Sequence, residues 1–345
     1  MRIKSFLAGA LALITLTSCS MTSTGDSTTQ GENETSESNL TVYSGRNEKF
    51  ISPFFQEFTA QTGIQIDARY GDSAELAALI LEEGKNSPAD IFLSQDAGAI
   101  GAVAAQELLQ TLDTNLISIV PAQFRDENSK WVGITGRSRI IAYNNKKYSA
   151  EDLPRSIDDL LDPKWSGKIA IAPTNASFQS FITAVVQIRG EEKALEWLKG
   201  LNENNPQKFE KNSLIVEAID QGVVDLGLTN HYYIAEVSKS LGREIGVGIS
   251  FFNNQDPGNL LNVSALGIFE TSKNKENADK LLSYLLSKST QERFVNETFE
   301  YSLLDGIAAP NGLPLLNQLG IPQVRLGQLS DVAKTQELLI TSGLL

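Results

Sequence analysis

Residues 40–109 alternate three times between a short apolar segment and a longer segment whose apolar residues recur at helical spacing. Strands are predicted at Leu40–Tyr43, Ile64–Tyr70 and Asp90–Leu93. Helices are predicted at Lys49–Gln61, Ala74–Glu83 and Ala97–Leu109. Alternation of this kind places parallel strands side by side and covers both faces of the sheet with helices. The chain is therefore expected to have an α/β fold.

A second series of alternating elements follows. Its predicted strands are Arg139–Tyr143, Lys168–Ala172, Val224–Leu228 and Val263–Phe269. Its predicted helices are Phe178–Arg189, Glu191–Leu201, Leu214–Gln221, Tyr233–Leu241, Lys275–Leu286 and Asp331–Ile340. The chain beyond Leu40 is long enough for two lobes, each with its own core. Because open α/β sheets bind ligands at the carboxyl ends of their strands, two facing lobes predict a cleft that closes on a small ligand.

The N-terminus has the composition of an export signal. Arg2 and Lys4 precede the apolar stretch Phe6–Leu16, which is too short to span a bilayer. The stretch ends in Leu-Thr-Ser-Cys, typical of a bacterial lipobox, which predicts a lipoprotein signal peptide over residues 1–18 and a lipidated Cys19. The alternative is an ordinary signal peptide that happens to contain a cysteine. Cys19 is the only cysteine of the chain and can form no internal disulfide, which favours the lipobox.

Residues 19–39 predict a disordered tether. Nearly all of them are Ser, Thr, Gly, Asn, Gln, Asp or Glu, which cannot bury enough surface to offset the entropy of ordering. As a flexible coil the segment would reach on the order of 25 Å. We therefore expect a protein of the periplasm or cell surface that is anchored to the membrane by Cys19.

The chain lacks the residues that common catalytic mechanisms need. It has one histidine, His231, and one cysteine, so neither a His-based nucleophilic mechanism nor a zinc site is supported. It has no Gly-x-Ser-x-Gly elbow and no phosphate-binding glycine loop after the first strand. A glycosidase with two carboxylates stays open, because such pairs have no fixed spacing. The net charge of −13 argues against a nucleic-acid partner. We expect a binding protein and not an enzyme.

The segment Thr229–Tyr233 follows the predicted strand Val224–Leu228 and begins a predicted helix. At such a junction, adjacent side chains can converge on one point. Two phenolate oxygens suit a hard cation such as Fe³⁺, and a bound cation lowers the phenol pKa from its usual value of about 10. One positive charge would then remain, which a small anion at a helix N-terminus can neutralise. The alternative is that Tyr232 and Tyr233 only pack in a core or between lobes.

The body of the chain resembles the ferric-ion-binding proteins of bacterial iron ABC importers. The matching stretches are Thr41–Gly45, Pro88–Phe92, Gly136–Arg139, Pro163–Lys168, Lys211–Ser213, Asn230–Tyr233 and Gln255–Gly258, in the family's order and spacing. The resemblance implies a two-lobed type II periplasmic-binding-protein fold with a central ligand cleft and crossover strands near Arg139–Tyr143 and Val263–Ile268. The expected N-lobe comprises residues 40–139 and 264–313, and the expected C-lobe residues 140–263 and 314–345.

The resemblance also implies the site residues. The family's paired iron-ligating tyrosines fall on Tyr232 and Tyr233. In the branch that uses phosphate as a synergistic anion, the anion-binding positions fall on Asn175, Ala176, Ser177, Asn212 and Asn230. For Asn212 and Asn230 the alternative is helix capping. We therefore expect Fe³⁺ as the transported ligand, phosphate or carbonate as the synergistic anion, the permease of an iron ABC importer as partner, and a monomer.

The sequence departs from the family at two ligand positions. The family's histidine ligand falls on Asn47 and its glutamate ligand on Gln95. A neutral amide, which is at most a weak metal ligand, therefore stands at each position. A third tyrosine that another branch uses falls on Phe178. Nearby candidates for compensation are Gln95, Asp96, Arg46 and His231. Three alternatives stay open: iron held by two tyrosines with an anion and water, an iron chelate, and a small anion such as phosphonate, sulfate or a phosphorylated vitamin.

Overall fold

The computed structural model describes residues 39–345. Cys19, the signal peptide and all of the predicted tether except Asn39 lie outside the described residues. The strands are β1 Asn39–Ser44, β2 Gln65–Tyr70, β3 Ile91–Ser94, β4 Val132–Asn144, β5 Ile169–Ile171, β6 Gln207–Lys208, β7 Leu226–Asn230, β8 Val247–Ser250, β9 Leu261–Ile268 and β10 Tyr301–Ser302. The helices are α1 Glu48–Thr62, α2 Ser73–Glu83, α3 Ala97–Ala104, α4 Thr114–Ile117, α5 Ala176–Arg189, α6 Glu191–Glu203, α7 Asn212–Asp220, α8 Tyr232–Leu241, α9 Lys275–Leu285, α10 Lys288–Arg293 and α11 Val332–Thr341.

The first three strands form the parallel sheet that the sequence predicts. β1 pairs in parallel with both β2 and β3. α1 begins where the Asn47 side chain accepts a hydrogen bond from the Lys49 N–H, and it ends at Gly63, whose φ of 76° is left-handed. Its buried face, which carries Phe54 and Phe58, packs into the core. The predicted elements are confirmed here to within a few residues, except that α3 ends five residues before the predicted Leu109.

β4 is longer than predicted, because its first half lacks a strand-like sequence. Gly133, Gly136 and Arg137 are poor strand formers, so only Arg139–Tyr143 stood out as a strand. In the structure a Cβ at Gly133 would lie 2.6 Å from a methyl group of Leu303, and one at Gly136 would lie 2.8 Å from a methyl of Leu261. The glycines therefore allow close packing over this half of β4, a tertiary reason that the sequence pattern does not reveal.

β4 changes its partners in the middle. Residues Val132–Ser138 pair with β9, whereas Arg139–Tyr143 pair with β7. The end of β4 also pairs with β8, and residues 251–260 then lead from β8 to β9 along the same edge. β4 thus runs through both halves of one sheet, which has the order β2-β1-β3-β9-β4-β7-β5-β6 within the described residues. The second crossover between the halves is expected near Val263–Ile268. In the structure it is the segment 251–260 just before that range, because all of β9 pairs with β3 and with the first half of β4.

The C-terminal segment contacts both halves of the molecule. α11 packs on α5 and α6, and the turn Leu326–Gln328 packs on α3. Gly101 makes this second contact possible, because a Cβ there would lie 2.0 Å from the Gly327 carbonyl oxygen. The assignment of residues 314–345 to one lobe, like the other lobe boundaries, stays a prediction. None of the helices in residues 39–345 has the length and apolarity that crossing a membrane requires.

Candidate functional site

A small polar cavity lies where the carboxyl ends of β3 and β7 meet the middle of β4. It has a volume of about 90 Å³. It is lined by Gly45, Asp72, Ser73, Gln95, Asp96, Arg137, Arg139, Ala176, Ser177, Ser180, Asn230, Leu260 and Asn262. Two arginines and two aspartates therefore face a space that holds only a small ligand. Three of the five predicted anion-binding residues, Ala176, Ser177 and Asn230, belong to this lining.

The start of α5 carries a cluster of hydrogen-bonded polar side chains. Asn175 caps the helix: its Oδ1 accepts from the Ser177 N–H at 3.0 Å and from the Ser177 hydroxyl at 2.7 Å. The Asn212 Nδ2 donates to Asn175 Oδ1 at 3.2 Å and to Ser177 Oγ at 3.0 Å. Asn212 is the first residue of α7 and does not cap it. Asn175, Ser177 and Asn212, three of the residues that the resemblance assigns to an anion, thus form one hydrogen-bonded group.

Asn230 completes this wall from the neighbouring strand. It is the last residue of β7, it is buried, and it pairs in register with Arg139 of β4. α8 begins after His231 without a side-chain cap, so Asn230 does not serve that helix either. The capping alternative is therefore wrong for both Asn212 and Asn230.

Arg139 links the polar cluster to the tyrosine pair. Its guanidinium donates to the Leu228 carbonyl at 2.9 Å and to Ser177 Oγ at 3.3 Å. The rings of Phe178 and Phe181 lie 5.7 and 5.2 Å from the guanidinium carbon. Burial lowers the pKa of Arg139 to about 9, and the nearby phenols of Tyr232 and Tyr233 oppose this shift. At neutral pH Arg139 stays a cation, held by one carbonyl and two aromatic faces.

Tyr232 and Tyr233 lie together at the start of α8. Their ring centroids are 4.2 Å apart at an interplanar angle of 31°, and both side chains are half-buried. Neither tyrosine lines the small cavity, and Tyr232 instead lines two larger surface pockets together with Lys239 and Phe299. Burial raises the pKa of Tyr232 well above its usual value, with a further rise from Tyr233 and an opposing effect of Arg137. Tyr232 is therefore a phenol in the metal-free protein, and a metal ion would have to displace a proton to bind it.

The positions at which the sequence departs from the family's ligands lie in different surroundings in the structure. Gln95 lines the cavity, and its backbone carbonyl accepts from the Arg137 guanidinium. Asn47 is exposed, caps α1 and does not line the cavity. Phe178 is fully buried in the core beside Arg139. Of the two amides, only Gln95 is placed to contact a ligand in the cavity.

The other nearby candidates already have structural partners. Asp96 caps α3 by accepting from the Ala99 N–H at 2.9 Å, and burial raises its pKa, with Arg137 opposing. Arg46 forms a buried ion pair with Glu300 at 2.8 Å. Within residues 39–345 no group of three His, Cys, Asp or Glu side chains is arranged to hold a metal ion.

Glu300 is the buried acid that the sequence analysis missed. Its carboxylate accepts from Arg46 and from the Thr135 hydroxyl at 2.8 Å, and it lies 4.0 Å from Arg137 Nε. Burial opposes ionisation, but the adjacent arginines prevail and hold the Glu300 pKa below its usual value. Glu300 therefore stays charged beneath the cavity wall. No local signal marks it, because Arg46 and Thr135, its partners at 2.8 Å, lie more than 160 positions away in the chain.

The fold and the site together define the class of protein. Two sets of α/β elements joined through β4 and residues 251–260, with a polar cavity at the junction, form the two-lobed type II periplasmic-binding fold with a central cleft. Residues 86–317 match the family described as bacterial extracellular solute-binding protein, and the chain belongs to this family.

Similar proteins are known by sequence and by structure. The Fe(3+)-binding periplasmic protein of Serratia marcescens is 32% identical over 89% of this chain and 90% of its own length. The crystal structure of iron-bound HitA from Pseudomonas aeruginosa superposes with a TM-score of 0.81 at 32% identity, covering 88% of this chain and 99% of that one. The structure of Trichodesmium IdiA (FutA) with iron and citrate gives a TM-score of 0.78 at 29% identity, covering 88% and 99%.

His231 makes folding stability depend on pH. Burial lowers the pKa of its imidazole from 6.5 to about 4. Between about pH 6.5 and 4 the unfolded chain therefore binds a proton at this residue that the folded chain does not. The free energy of unfolding should fall in this window by up to about 3 kcal/mol on acidification. Urea denaturation of the metal-free protein at pH 7, 5.5 and 4.5, compared with His231→Gln, measures the difference that belongs to His231. An identical pH dependence in the two proteins would contradict this assignment.

Proposed function

We propose that this protein captures ferric iron outside the cytoplasmic membrane and delivers it to the permease of an ABC importer. The observation that carries the proposal is the close pair Tyr232 and Tyr233 at the carboxyl end of β7, next to Arg139 and the polar start of α5. Phenolate oxygens are hard donors that suit Fe³⁺, and the relatives with the same fold include iron-bound proteins. Tyr232 and Tyr233 are the proposed metal ligands.

The charge balance of the site calls for an anion that the protein does not supply. Two phenolates offset two of the three positive charges of Fe³⁺. In the adjoining cavity the two arginines, Arg137 and Arg139, face two aspartates, Asp72 and Asp96, so these four residues leave the third charge of the iron without a partner. The start of α5, with Ala176 and Ser177, and Asn230 at the end of β7 line the cavity, so a small anion bound there would face a helix N-terminus. We propose phosphate or carbonate as this synergistic anion, held by Asn175, Ala176, Ser177, Asn212 and Asn230.

A second candidate is the binding of a small anion without iron, such as phosphonate, sulfate or a phosphorylated vitamin. One observation favours it: the cavity of about 90 Å³ is lined by Arg137 and Arg139, whereas neither tyrosine belongs to its lining. The two candidates differ in colour. Ferric phenolate complexes absorb visible light, so an iron-loaded protein is coloured and an anion complex is not.

The proposed location follows from the N-terminus, which precedes the described residues. A signal peptide over residues 1–18, a lipidated Cys19 and a tether over residues 19–39 would hold the binding body near its permease. We propose a monomer anchored in this way.

The iron site is tested first with Tyr232→Phe and Tyr233→Phe. Each change removes one oxygen ligand and keeps the ring packing, so both variants should lose most of the visible charge-transfer absorbance. Iron affinity should fall by more than about 100-fold, because even the outer partners of metal ligands usually contribute 10–100-fold. The measurements are absorbance titration with a ferric chelate and competition with a chelator.

Tyr301→Phe is the matched control for this experiment. Tyr301 is a buried tyrosine near His231 whose hydroxyl donates to the Pro314 carbonyl at 3.1 Å and faces away from the proposed site. This variant should keep the colour and the affinity. Unchanged colour and affinity in both Tyr232→Phe and Tyr233→Phe would refute the ligand assignment, and a wild-type protein that binds phosphate but no iron would establish the second candidate.

Gln95→Glu tests whether the site depends on an external anion. The added carboxylate would lie on the cavity wall near Arg137, so iron binding should tighten by about tenfold, or about 1.4 kcal/mol, when phosphate and carbonate are scarce. Excess anion should reduce the difference. Asn47→Asp is the matched control, since it makes the same amide-to-acid change at an exposed helix cap outside the cavity. Equal affinity of wild type with and without anion, together with no gain in Gln95→Glu, would contradict the charge-balance argument.

Cys19→Ser tests the anchor. The variant should be exported but should no longer partition into the detergent phase, because it lacks the residue that is lipidated. Phase separation with Triton X-114 followed by immunoblotting measures this. Equal partitioning of variant and wild type would show that Cys19 is not the attachment point.

A further inference from the structure

His231 lies at the point where β7 becomes α8. It follows Asn230, the last strand residue, and precedes Tyr232, the first helical residue, and its side chain is only 2% exposed. Both ring nitrogens contact backbone atoms of other segments. Nδ1 is 3.2 Å from the Ser138 nitrogen and 3.3 Å from the Ser138 oxygen, and Nε2 is 2.8 Å from the Phe299 oxygen. One side chain thus bridges the middle of β4 and the chain just before β10.

The contact with Ser138 replaces a backbone hydrogen bond of the sheet. β4 and β7 are antiparallel with Arg139 opposite Asn230, so the next pair is Ser138 and His231. The His231 N–H donates to the Ser138 carbonyl at 3.1 Å, as a ladder requires. The His231 carbonyl cannot return the bond, because its residue already has helical dihedrals of φ −56° and ψ −39°. Nδ1 of the imidazole accepts the Ser138 N–H in its place and extends the ladder by one bond.

The two contacts require one tautomer. Phe299 presents only a carbonyl oxygen to Nε2, so Nε2 carries the hydrogen and donates it. In a neutral ring Nδ1 is then unprotonated and accepts from Ser138, as the ladder needs. Both nitrogens are used in opposite roles, which fixes the orientation of the ring.

The Phe299 carbonyl, which accepts from His231 Nε2, belongs to a segment that is fixed by other contacts. Phe299 has a φ of 59°, a left-handed conformation that bulky residues seldom adopt. The next residue, Glu300, is fixed by its buried bonds to Arg46 and Thr135, both at 2.8 Å. The segment that accepts from His231 is therefore attached to β4 and to the loop after β1, independently of α8.

We propose that His231 is a positioning residue for the tyrosine pair. Its two hydrogen bonds fix the direction in which the chain leaves β7, and therefore where the hydroxyls of Tyr232 and Tyr233 lie relative to the wall formed by Arg137 and Gln95. The His231 ring also packs edge-to-face on Tyr232, with centroids 5.9 Å apart at 87°. This role rests on the proposed iron function, but its structural part does not require iron.

The test uses three replacements of His231 in the full-length protein. His231→Phe keeps a ring but loses both hydrogen bonds. His231→Asn can supply an acceptor at the Nδ1 position, and His231→Gln can supply a donor at the Nε2 position. Iron-loaded His231→Phe should show a shifted or broadened ferric-phenolate band and should release iron to a competing chelator at least about tenfold faster, a factor that corresponds to losing one well-made interaction. Asn and Gln should each recover part of this loss.

Tyr301→Phe again serves as the control, because Tyr301 packs on the His231 ring at 4.8 Å but contacts the Pro314 carbonyl instead of α8. It should lower thermal stability without moving the band. A wild-type band and release rate in His231→Phe would overturn the proposal. Loss of thermal stability in that variant with unchanged optical properties would also overturn it, since His231 would then only support the fold.

An iron-free measurement separates this proposal from the iron function. Hydrogen–deuterium exchange of the metal-free protein should be faster in the first turn of α8 in His231→Phe, and should be restored in part in His231→Asn. The result supports the positioning role even if wild type binds no iron, in which case only the proposed function fails. Equal exchange of this turn in wild type, His231→Phe and Tyr301→Phe would overturn the positioning role whatever the ligand is.

Discussion

The backbone pairing of β4 is the constraint on which the rest of this structure depends. One continuous strand bonds to β9 up to Ser138 and to β7 from Arg139 onward. Arg137 and Arg139 are two positions apart, so their side chains lie on the same face of β4. The partner strand changes between them, so Arg137 lies in the part paired with β9 and Arg139 in the part paired with β7. Both side chains line the cavity. The cavity is therefore built around a strand that belongs to both halves.

Buried arginines are the main electrostatic cost of this arrangement, and the fold offsets each one differently. Arg46 pairs with Glu300, Arg137 donates to the Gln95 carbonyl, and Arg139 rests on aromatic faces and a carbonyl. Glu300 is the one acid that contacts two of them. A buried charge without compensation is strongly unfavourable, and the proposed ligand would add further negative charge beside Arg137 and Arg139. Tyrosinates, an anion or both can provide it.

The site also shows how helix starts and strand ends are combined. β7 ends at Asn230 and α8 begins two residues later, while α5 begins at Ala176 across the cavity. The side chains of the α5 start bond to one another, and His231 continues the β4–β7 ladder into the helix. Strand ends and helix starts leave backbone groups without partners, and here side chains make these hydrogen bonds. The position of the residues at the β7–α8 junction is thereby defined.

The sequence by itself determined the α/β class and the order of the main strands and helices, because apolar periodicity is encoded within a few positions. It did not mark the short strands β6, β8 and β10. The residues of the polar cluster came from the resemblance to a family. The sequence also marked Tyr232 and Tyr233 by their place after a buried strand. It did not reveal the first half of β4, whose glycines make it a poor strand by propensity, or Glu300, whose partners are far along the chain. Only the tertiary structure showed that Gln95 lines the cavity and Asn47 does not. It also gave His231 its backbone partners in Ser138 and Phe299. Such contacts join segments that are remote in sequence, so no local pattern can carry them.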